Sequence, residues 1–250
     1  IDNNPGFYKL KKLYPYAIYV ADQNGMRNNI FYKIVKLLKK KKYKFLVDIM
    51  FCFGENEKKR LNKIISGNIY PLGNTLNNSR KYSKIKKFKF KNLIFISSLN
   101  IKNSKKELKT FLNLAKICYQ KKLNLFFLDR RNLNLKKYLD EKVKKYKFLY
   151  LKNENYNVEK FKDRSLFLFS HSTLGYEYLS KGYRVGSFAH NYLKHFINGN
   201  YEKNGPFWIN NNKIDSLNKL INKISKYNYK QWSLITKKYS NQLLKYDKDN

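Results

Sequence analysis

A chain of 250 residues, 42% hydrophobic and 17% aromatic, can bury a sizeable core as one large domain or two small ones, which excludes wholesale disorder. Lys and Arg number 54 against 17 Asp and Glu, a net charge of +37 carried mostly by Lys. That balance reads either as drift onto a solvated surface in a Lys-, Asn-, Ile- and Tyr-rich chain, or as a basic surface for an anionic membrane, a phosphorylated substrate or nucleic acid.

Cys52 and Cys118 are the two cysteines. They lie far apart in apolar settings, without metal spacing, as expected of a reduced cytoplasmic protein. No apolar run approaches the roughly 20 residues that span a bilayer. The chain starts at Ile1, so the N-terminal part is expected to be partial.

In chain order, residues 1–15 read as loop or a partial element. Tyr16–Val20 is a short strand, and Asp22-Gln23-Asn24-Gly25-Met26-Arg27 a turn at its end. Phe31, Ile34, Val35 and Leu38 form a helical stripe that closes on Lys39–Lys42. Phe45–Phe53 is a second strand stopped by Gly54, Glu55–Ile65 a short helix, and Asn68–Asn74 a strand running into a turn. Thr75–Lys91 is polar, basic and aperiodic, the best linker. The pattern then becomes regular. Strands at Leu93–Ser97, Leu123–Leu128 and Phe148–Leu151 alternate with helices at Lys105–Gln120 and Leu135–Tyr146, and Asn157–Lys162 is a short helix. Two closing helices follow at Ile214–Ile224 and Tyr229–Leu244. Strands separated by helices of this size predict βαβ units and parallel sheets, an α/β fold divided as 1–90 and 91–250.

The most informative stretch is Ser165–Phe188, SLFLFSHSTLGYEYLSKGYRVGSF. A buried-strand run, Leu166–Phe169, enters a small polar turn, Ser170-His171-Ser172-Thr173. Leu174–Ser180 then reads as two helical turns, Gly182 as a stop and Tyr183–Phe188 as a strand. A strand ending in hydroxyl residues at a helix start is an anion site, because backbone N–H groups, the helix dipole and the hydroxyls converge there. Gly175 in the first turn costs about 1 kcal/mol against Ala, which a close ligand approach explains. The plain alternative is that Ser172 or Thr173 is simply an N-cap.

Ser172-Thr173-Leu174-Gly175-Tyr176-Glu177, with Leu179, Gly182 and Val185, resembles the donor-site segment of two-domain GT-B glycosyltransferases. The likeness is greatest to bacterial capsule and lipopolysaccharide biosynthesis proteins. Gln23-Asn24-Gly25-Met26-Arg27 resembles the turn that follows an N-domain strand in the same proteins. Asp48 with Phe53-Gly54, and Leu72-Gly73-Asn74, fit the family's order into the interdomain crossover. The resemblance implies a GT-B-like fold of Rossmann-type parallel-sheet domains, the N-terminal one incomplete. It further implies transfer of a sugar from a nucleotide-activated donor to a cell-surface glycan or lipid-linked acceptor. Ser172, Thr173 and the N–H groups of Leu174 and Gly175 would grip the donor phosphates, and Glu177 would reach a ribose or sugar hydroxyl. Arg130 and Arg131, at a strand end, are the candidate diphosphate clamp. Gln23, Asn24, Gly25 and Arg27 would line the acceptor side, although Asn24-Gly25 is equally a tight turn.

Transfer needs a stabilised leaving diphosphate and a base for the acceptor hydroxyl. Asp22 and His171 are the candidate bases, with plain loop polarity the alternative for His171, and a solvated carboxylate the alternative for Glu177. His190 and His195 are spaced off one helical face, and no DxD-like pair stands at a strand end, so no catalytic metal and no cofactor beyond the nucleotide-sugar co-substrate are expected. Neither a GxGxxG nor a P-loop motif occurs. Competing readings are a GT-B-shaped sugar-nucleotide epimerase and a basic RNA- or single-stranded-DNA-binding protein. Nucleic acid is the less expected partner, because no RNP, zinc-finger or helix-turn-helix pattern is present. The Phe31–Lys42 helix reads as a core helix or as peripheral contact with the inner membrane face.

Overall fold

The computed structural model describes residues 4, 6–25, 37, 40, 45–79, 82–97, 104–129, 134–152, 158–170, 172–189 and 204–247. These fall into two compact units. One takes the residues up to Tyr82 together with those from Thr236 onward, and the other those from Ser83 to Ile235.

In the first unit, β1 (Val20–Asp22), β2 (Phe45–Cys52) and β3 (Ile65–Pro71) form a parallel sheet in that order. β2 is central, and its Phe45, Val47, Met50 and Cys52 are buried. The inward–outward alternation slips at Asp48–Ile49, where the register against β3 also shifts between Leu46 and Ile49, as a bulge requires. Helix α1 (Phe7–Leu13) packs here, with Tyr8 edge-on to Phe45 at 5.1 Å. Asp48 pairs with Lys11 and accepts the Tyr19 N–H at 2.8 Å. Lys11 and then the Tyr19 amide hold its carboxyl below the usual range.

The first strand lies further along the chain than Tyr16–Val20. Tyr16 and Ile18 are 100% and 79% exposed, whereas Ala21 is buried and pairs with Met50. Pairing with β2 overrides the stronger β-propensity of the upstream residues. Helix α2 (Glu55–Leu61) stops short of Ile65, because Ile65 opens β3 opposite Phe45. Apart from residues 37 and 40, the Phe31–Lys42 stripe lies outside the described residues.

The polar stretch after β3 contains one helical turn, α3 (Thr75–Asn78), capped by the Asn74 side chain accepting from the Asn77 N–H. The chain's C-terminal segment docks beside it. Lys245 N–H donates to the Phe53 carbonyl at 2.7 Å, and Asp247 N–H to Asn78 Oδ1 at 3.1 Å. Gly73, at φ +87°, meets this segment so closely that a Cβ would stand 2.0 Å from the Lys245 carbonyl oxygen.

The second unit is a six-stranded parallel sheet in the order β6-β5-β4-β7-β8-β9. Its strands are β4 (Asn92–Ile96), β5 (Asn124–Asp129), β6 (Leu149–Lys152), β7 (Ser165–Phe169), β8 (Val185–Phe188) and β9 (Trp208–Ile209). β4 and β7 are buried throughout and run in register, Ile94 opposite Phe167. Near-continuous apolar runs mark strands covered on both faces. Helix α4 (Lys105–Lys121) buries Phe111, Leu114, Ala115 and Cys118, and Phe111 meets Phe127 edge-on at 5.1 Å. Helix α5 (Lys136–Lys142) is shorter than Leu135–Tyr146, ending in a turn in which Tyr146 N–H donates to the Val143 carbonyl. A kinked 3-10 helix (Val158–Arg164) precedes β7, and α6 (Thr173–Ser180) follows it. Helix α7 (Ile214–Lys226) turns Leu217, Leu220, Ile221 and Ile224 inward, and α8 (Tyr229–Leu243) follows, with the unit boundary between Ile235 and Thr236 inside it.

Arg184, just ahead of β8, is 1% exposed. Its guanidinium lies 4.9 Å from the Phe88 ring centre and 5.1 Å from that of Trp232. It donates to the carbonyls of Ile224 at 3.2 Å and Tyr227 at 2.7 Å, satisfying the end of α7. Burial pushes its pKa down to about 10.

Candidate functional site at the carboxyl edge of the six-stranded sheet

In the second unit the chain winds outward from β4 through β5 to β6, then resumes on the other side of β4 with β7, β8 and β9. The order therefore reverses between β4 and β7, and ligands of such sheets bind outside the strand carboxyl ends at that reversal. The turn after β7 and the first residues after β4 both stand there.

The β7–α6 turn is built from buried small polar residues. Ser170 is 2% and Ser172 0% exposed. Ser172 holds the N-cap position with extended backbone, but its side chain makes no capping bond to α6. The N-cap role that the sequence allowed is therefore not what the hydroxyl does. Gly175 N–H already donates to the Ser172 carbonyl at 3.1 Å. Of the two backbone donors read from the sequence, that leaves Leu174. The reason for glycine at 175 also changes: a Cβ there would lie 2.3 Å from the Phe169 ring, so packing onto β7 demands it.

Helix α6 is almost wholly enclosed. Leu174, Gly175, Tyr176, Tyr178, Leu179 and Ser180 are buried, and Thr173 and Glu177 are the two half-buried positions. They are four residues apart and so share one helix face. One hydroxyl residue and one carboxylate residue thus keep partial exposure on the helix that starts at the sheet's reversal point.

Sequence reasoning missed two buried carboxylates on the β4 and β5 side. Ser97, just past β4, donates to Glu107 Oε1 at 3.2 Å, and Glu107 is 0% exposed in the first turn of α4. Ser104 accepts the Glu107 N–H at 3.2 Å, and Ser104-x-x-Glu107 after a strand was the legible signal. Asp129, at the end of β5, is 1% exposed and accepts from the Tyr150 hydroxyl. That hydroxyl in turn accepts the Leu135 N–H at 2.9 Å, and burial and then Asp129 push the phenol pKa up.

In the other unit, Asp22 is the exposed last residue of β1. Gln23 is 3% exposed, and its side chain accepts the Phe53 N–H at 2.9 Å and donates to the Gly25 carbonyl at 3.0 Å. Its amide ties the strand ends together. Asn24 is exposed, and Gly25 adopts φ +89°. Arg27, Arg130, Arg131, His171, His190 and His195 lie outside the described residues. Among the described residues, no group of three or more His, Cys, Asp and Glu is placed to hold a metal ion. Nor is any helix there long and apolar enough to cross a membrane.

No curated protein matches the chain. Among solved structures it is similar to the Gap123 glycosylation-associated complex of Streptococcus agalactiae, at 14% identity and TM-score 0.53, covering 89% of this chain and 47% of that one. It is also similar to a TarM variant of S. aureus in complex with fondaparinux, α-GlcNAc-glycerol and UDP, at 14% identity and TM-score 0.54, covering 94% of this chain and 50% of that one. A third likeness, at 14% identity and TM-score 0.54, is to the UDP-GlcNAc 2-epimerase of Methanocaldococcus jannaschii in complex with UDP-GlcNAc and UDP. It covers 94% of this chain and 80% of that one. The chain therefore spans about half the length of the first two, and at such identities the shared property is the fold, which is GT-B-like. A family model described as "putative O-antigen biosynthesis protein" matches residues 111–250, a stretch that contains β7, α6 and β8. The match takes in more than half of the chain, and the protein belongs to that O-antigen biosynthesis family.

Proposed function

We propose that the protein is a glycosyltransferase that moves a sugar from a nucleotide-activated donor onto a cell-surface glycan, lipopolysaccharide or capsule, or its lipid-linked precursor. The observation that carries this reading is the partly exposed pair Thr173 and Glu177 on an otherwise buried helix at the sheet's reversal point. Family membership and the GT-B-like fold support it.

In this reading the Ser172 and Thr173 hydroxyls and the Leu174 N–H stabilise the departing diphosphate, where charge builds during transfer. Arg130 or Arg131 adds a bidentate clamp. Glu177 accepts from a ribose or sugar hydroxyl. Asp22 or His171 takes the acceptor's proton, without a metal, and Asn24, Gly25 and Arg27 contact the acceptor. The enzyme works in the cytoplasm at the inner membrane face, and nucleic acid is not its partner. Calorimetry with UDP tests the donor site. Thr173→Val and Glu177→Gln are expected to weaken binding, with urea unfolding of the same samples separating lost contact from lost fold. Wild-type affinity in both variants would place the donor elsewhere.

The epimerase reading keeps one specific support, the 80% coverage of the M. jannaschii enzyme against about half of the transferase TarM. Incubation with UDP-GlcNAc in deuterated water separates the two. Deuterium at sugar C2 without an acceptor marks epimerisation, and its absence alongside acceptor-dependent UDP release marks transfer.

A further inference from the structure

The opposite edge of the same sheet, where its strands begin, carries a different chemistry. The segment leading into β4 is neither helix nor strand. Ile85 is buried, Phe88 and Phe90 are half-buried and stacked at 6.2 Å, and Lys84, Lys86, Lys87, Lys89 and Lys91 are all exposed. Lys89 and Lys91 N–H donate to the carbonyls of Asp163 and Arg164 at 3.0 and 2.9 Å, which binds this segment to the lead-in of β7. Lys121 and Lys122 precede β5 and are exposed, as are Lys144, Lys145 and Lys147 before β6. The acidic residues in these lead-ins are Glu159 and Asp163, both ahead of β7, and Asp163 pairs with neighbouring Arg164 at 3.5 Å.

A helix dipole accounts for cations at the end of α4 but not for those on the segment before β4, where no helix terminus stands. Chain-wide drift toward lysine leaves acids interspersed. Here the described lead-ins of β4, β5 and β6 carry lysines and no acid.

The same edge exposes apolar surface. Tyr119 is 73% and Leu149 56% exposed. Between the starts of β5 and β6 lies a groove of about 570 Å³, its walls including Leu123, Val143, Tyr146 and Leu149, with Lys144, Lys147 and Asp140, the last paired with Lys136 at 2.7 Å, at the same groove. Tyr119 meets Tyr146 edge-on at 5.8 Å and so extends this apolar strip.

We propose that this amino-terminal sheet edge is the surface by which the protein settles on an anionic phospholipid bilayer. Lysine ammonium groups face lipid phosphates, while Tyr119, Leu149 and the groove take up the acyl boundary. Lysine acts there as a point charge, and Leu149 has an aliphatic partner in lipid that a nucleic acid does not offer. The proposal deepens the peripheral placement put forward above but does not rest on the transfer chemistry. In this arrangement the β7–α6 turn, at the far edge of the sheet, faces away from the bilayer.

The test is sedimentation with phosphatidylglycerol–phosphatidylcholine vesicles and with pure phosphatidylcholine vesicles, no nucleotide sugar being present. Wild type is expected to pellet with the acidic vesicles only. The variant Lys86→Gln/Lys87→Gln/Lys89→Gln/Lys91→Gln should lose at least about tenfold in partitioning. Lys105→Gln/Lys106→Gln/Lys109→Gln/Lys213→Gln removes the same charge from exposed positions away from that edge and should lose much less. Leu149→Ser should weaken pelleting several-fold without changing its salt dependence. Circular dichroism confirms that each variant folds, and UDP calorimetry on the same samples reports the donor site separately. Equal loss in the two quadruple variants, pelleting without acidic lipid, or tight single-stranded RNA binding with no vesicle binding would each overturn the proposal.

Discussion

The ring of Phe169 occupies the space in which a side chain on Gly175 would sit, 2.3 Å from where its Cβ would be. The last residue of β7 and the first turn of α6 are thereby in van der Waals contact, which sets how closely the helix approaches the strand end. Gly175→Ala is expected to destabilise the protein by about 1–3 kcal/mol, the usual cost of overfilling a packed site. Urea unfolding measures it, and an unchanged midpoint would mean that Phe169 can move aside. A Gly175 variant that fails to bind nucleotide therefore says little about ligand contact.

Glu177 gives a cleaner probe, because it is half-buried on a helix whose other face carries the packing. Glu177→Gln keeps the shape and removes the charge. Donor affinity should fall about tenfold or more, the range for a hydrogen bond to a charged group. Calorimetry with a nucleotide and with the complete nucleotide sugar shows whether the loss belongs to ribose or to sugar.

Arg184 is expected to be the most sensitive position in the second unit. Arg184→Ala removes two ring contacts and leaves the Ile224 and Tyr227 carbonyls without their donor. A loss of roughly 3–5 kcal/mol in urea unfolding is expected. Arg184→Lys should not restore it, because an ammonium cannot lie flat between two rings and reach both carbonyls. A rescued midpoint would show that charge alone matters there.

Cys118 is 2% exposed, and burial pushes its thiol up to about 12 from an ordinary 9.0. The folded chain thus keeps this proton where the unfolded chain releases it. The resulting stability is complete below pH 9 and declines as pH rises toward 12. Cys118→Ala should flatten that alkaline decline in the urea midpoint. In the native protein at pH 8.5, neither Cys118 nor buried Cys52 should react with iodoacetamide until denaturant is added.

The regular half of the chain was readable because buried parallel strands and amphipathic helices print their periods directly. The all-apolar runs at Leu93–Ile96 and Leu166–Phe169, and the Leu217, Leu220, Ile221, Ile224 stripe, lie in β4, β7 and α7. β1 was misplaced and β9 was missed because strands of three and two residues take their position from neighbours rather than from propensity. Glu107 and Asp129 were passed over for a related cause: a lone carboxylate reads as surface until a hydroxyl such as that of Ser97 or Tyr150 is seen to cover it.

The sequence by itself determined the α/β class, the parallel βαβ order and the strand–turn–helix at Ser165–Ser180, because each depends on local pattern and on the handedness of short connections. Which side of β4 receives β7 was a tertiary decision, and it places that turn at the sheet's reversal point. Tertiary packing also decided what Gly175 is for, since the Phe169 ring that demands it becomes a constraint once strand and helix touch. It gathered the lysines of three separate lead-ins along one edge, because parallel strands, however distant in sequence, must all begin on the same side.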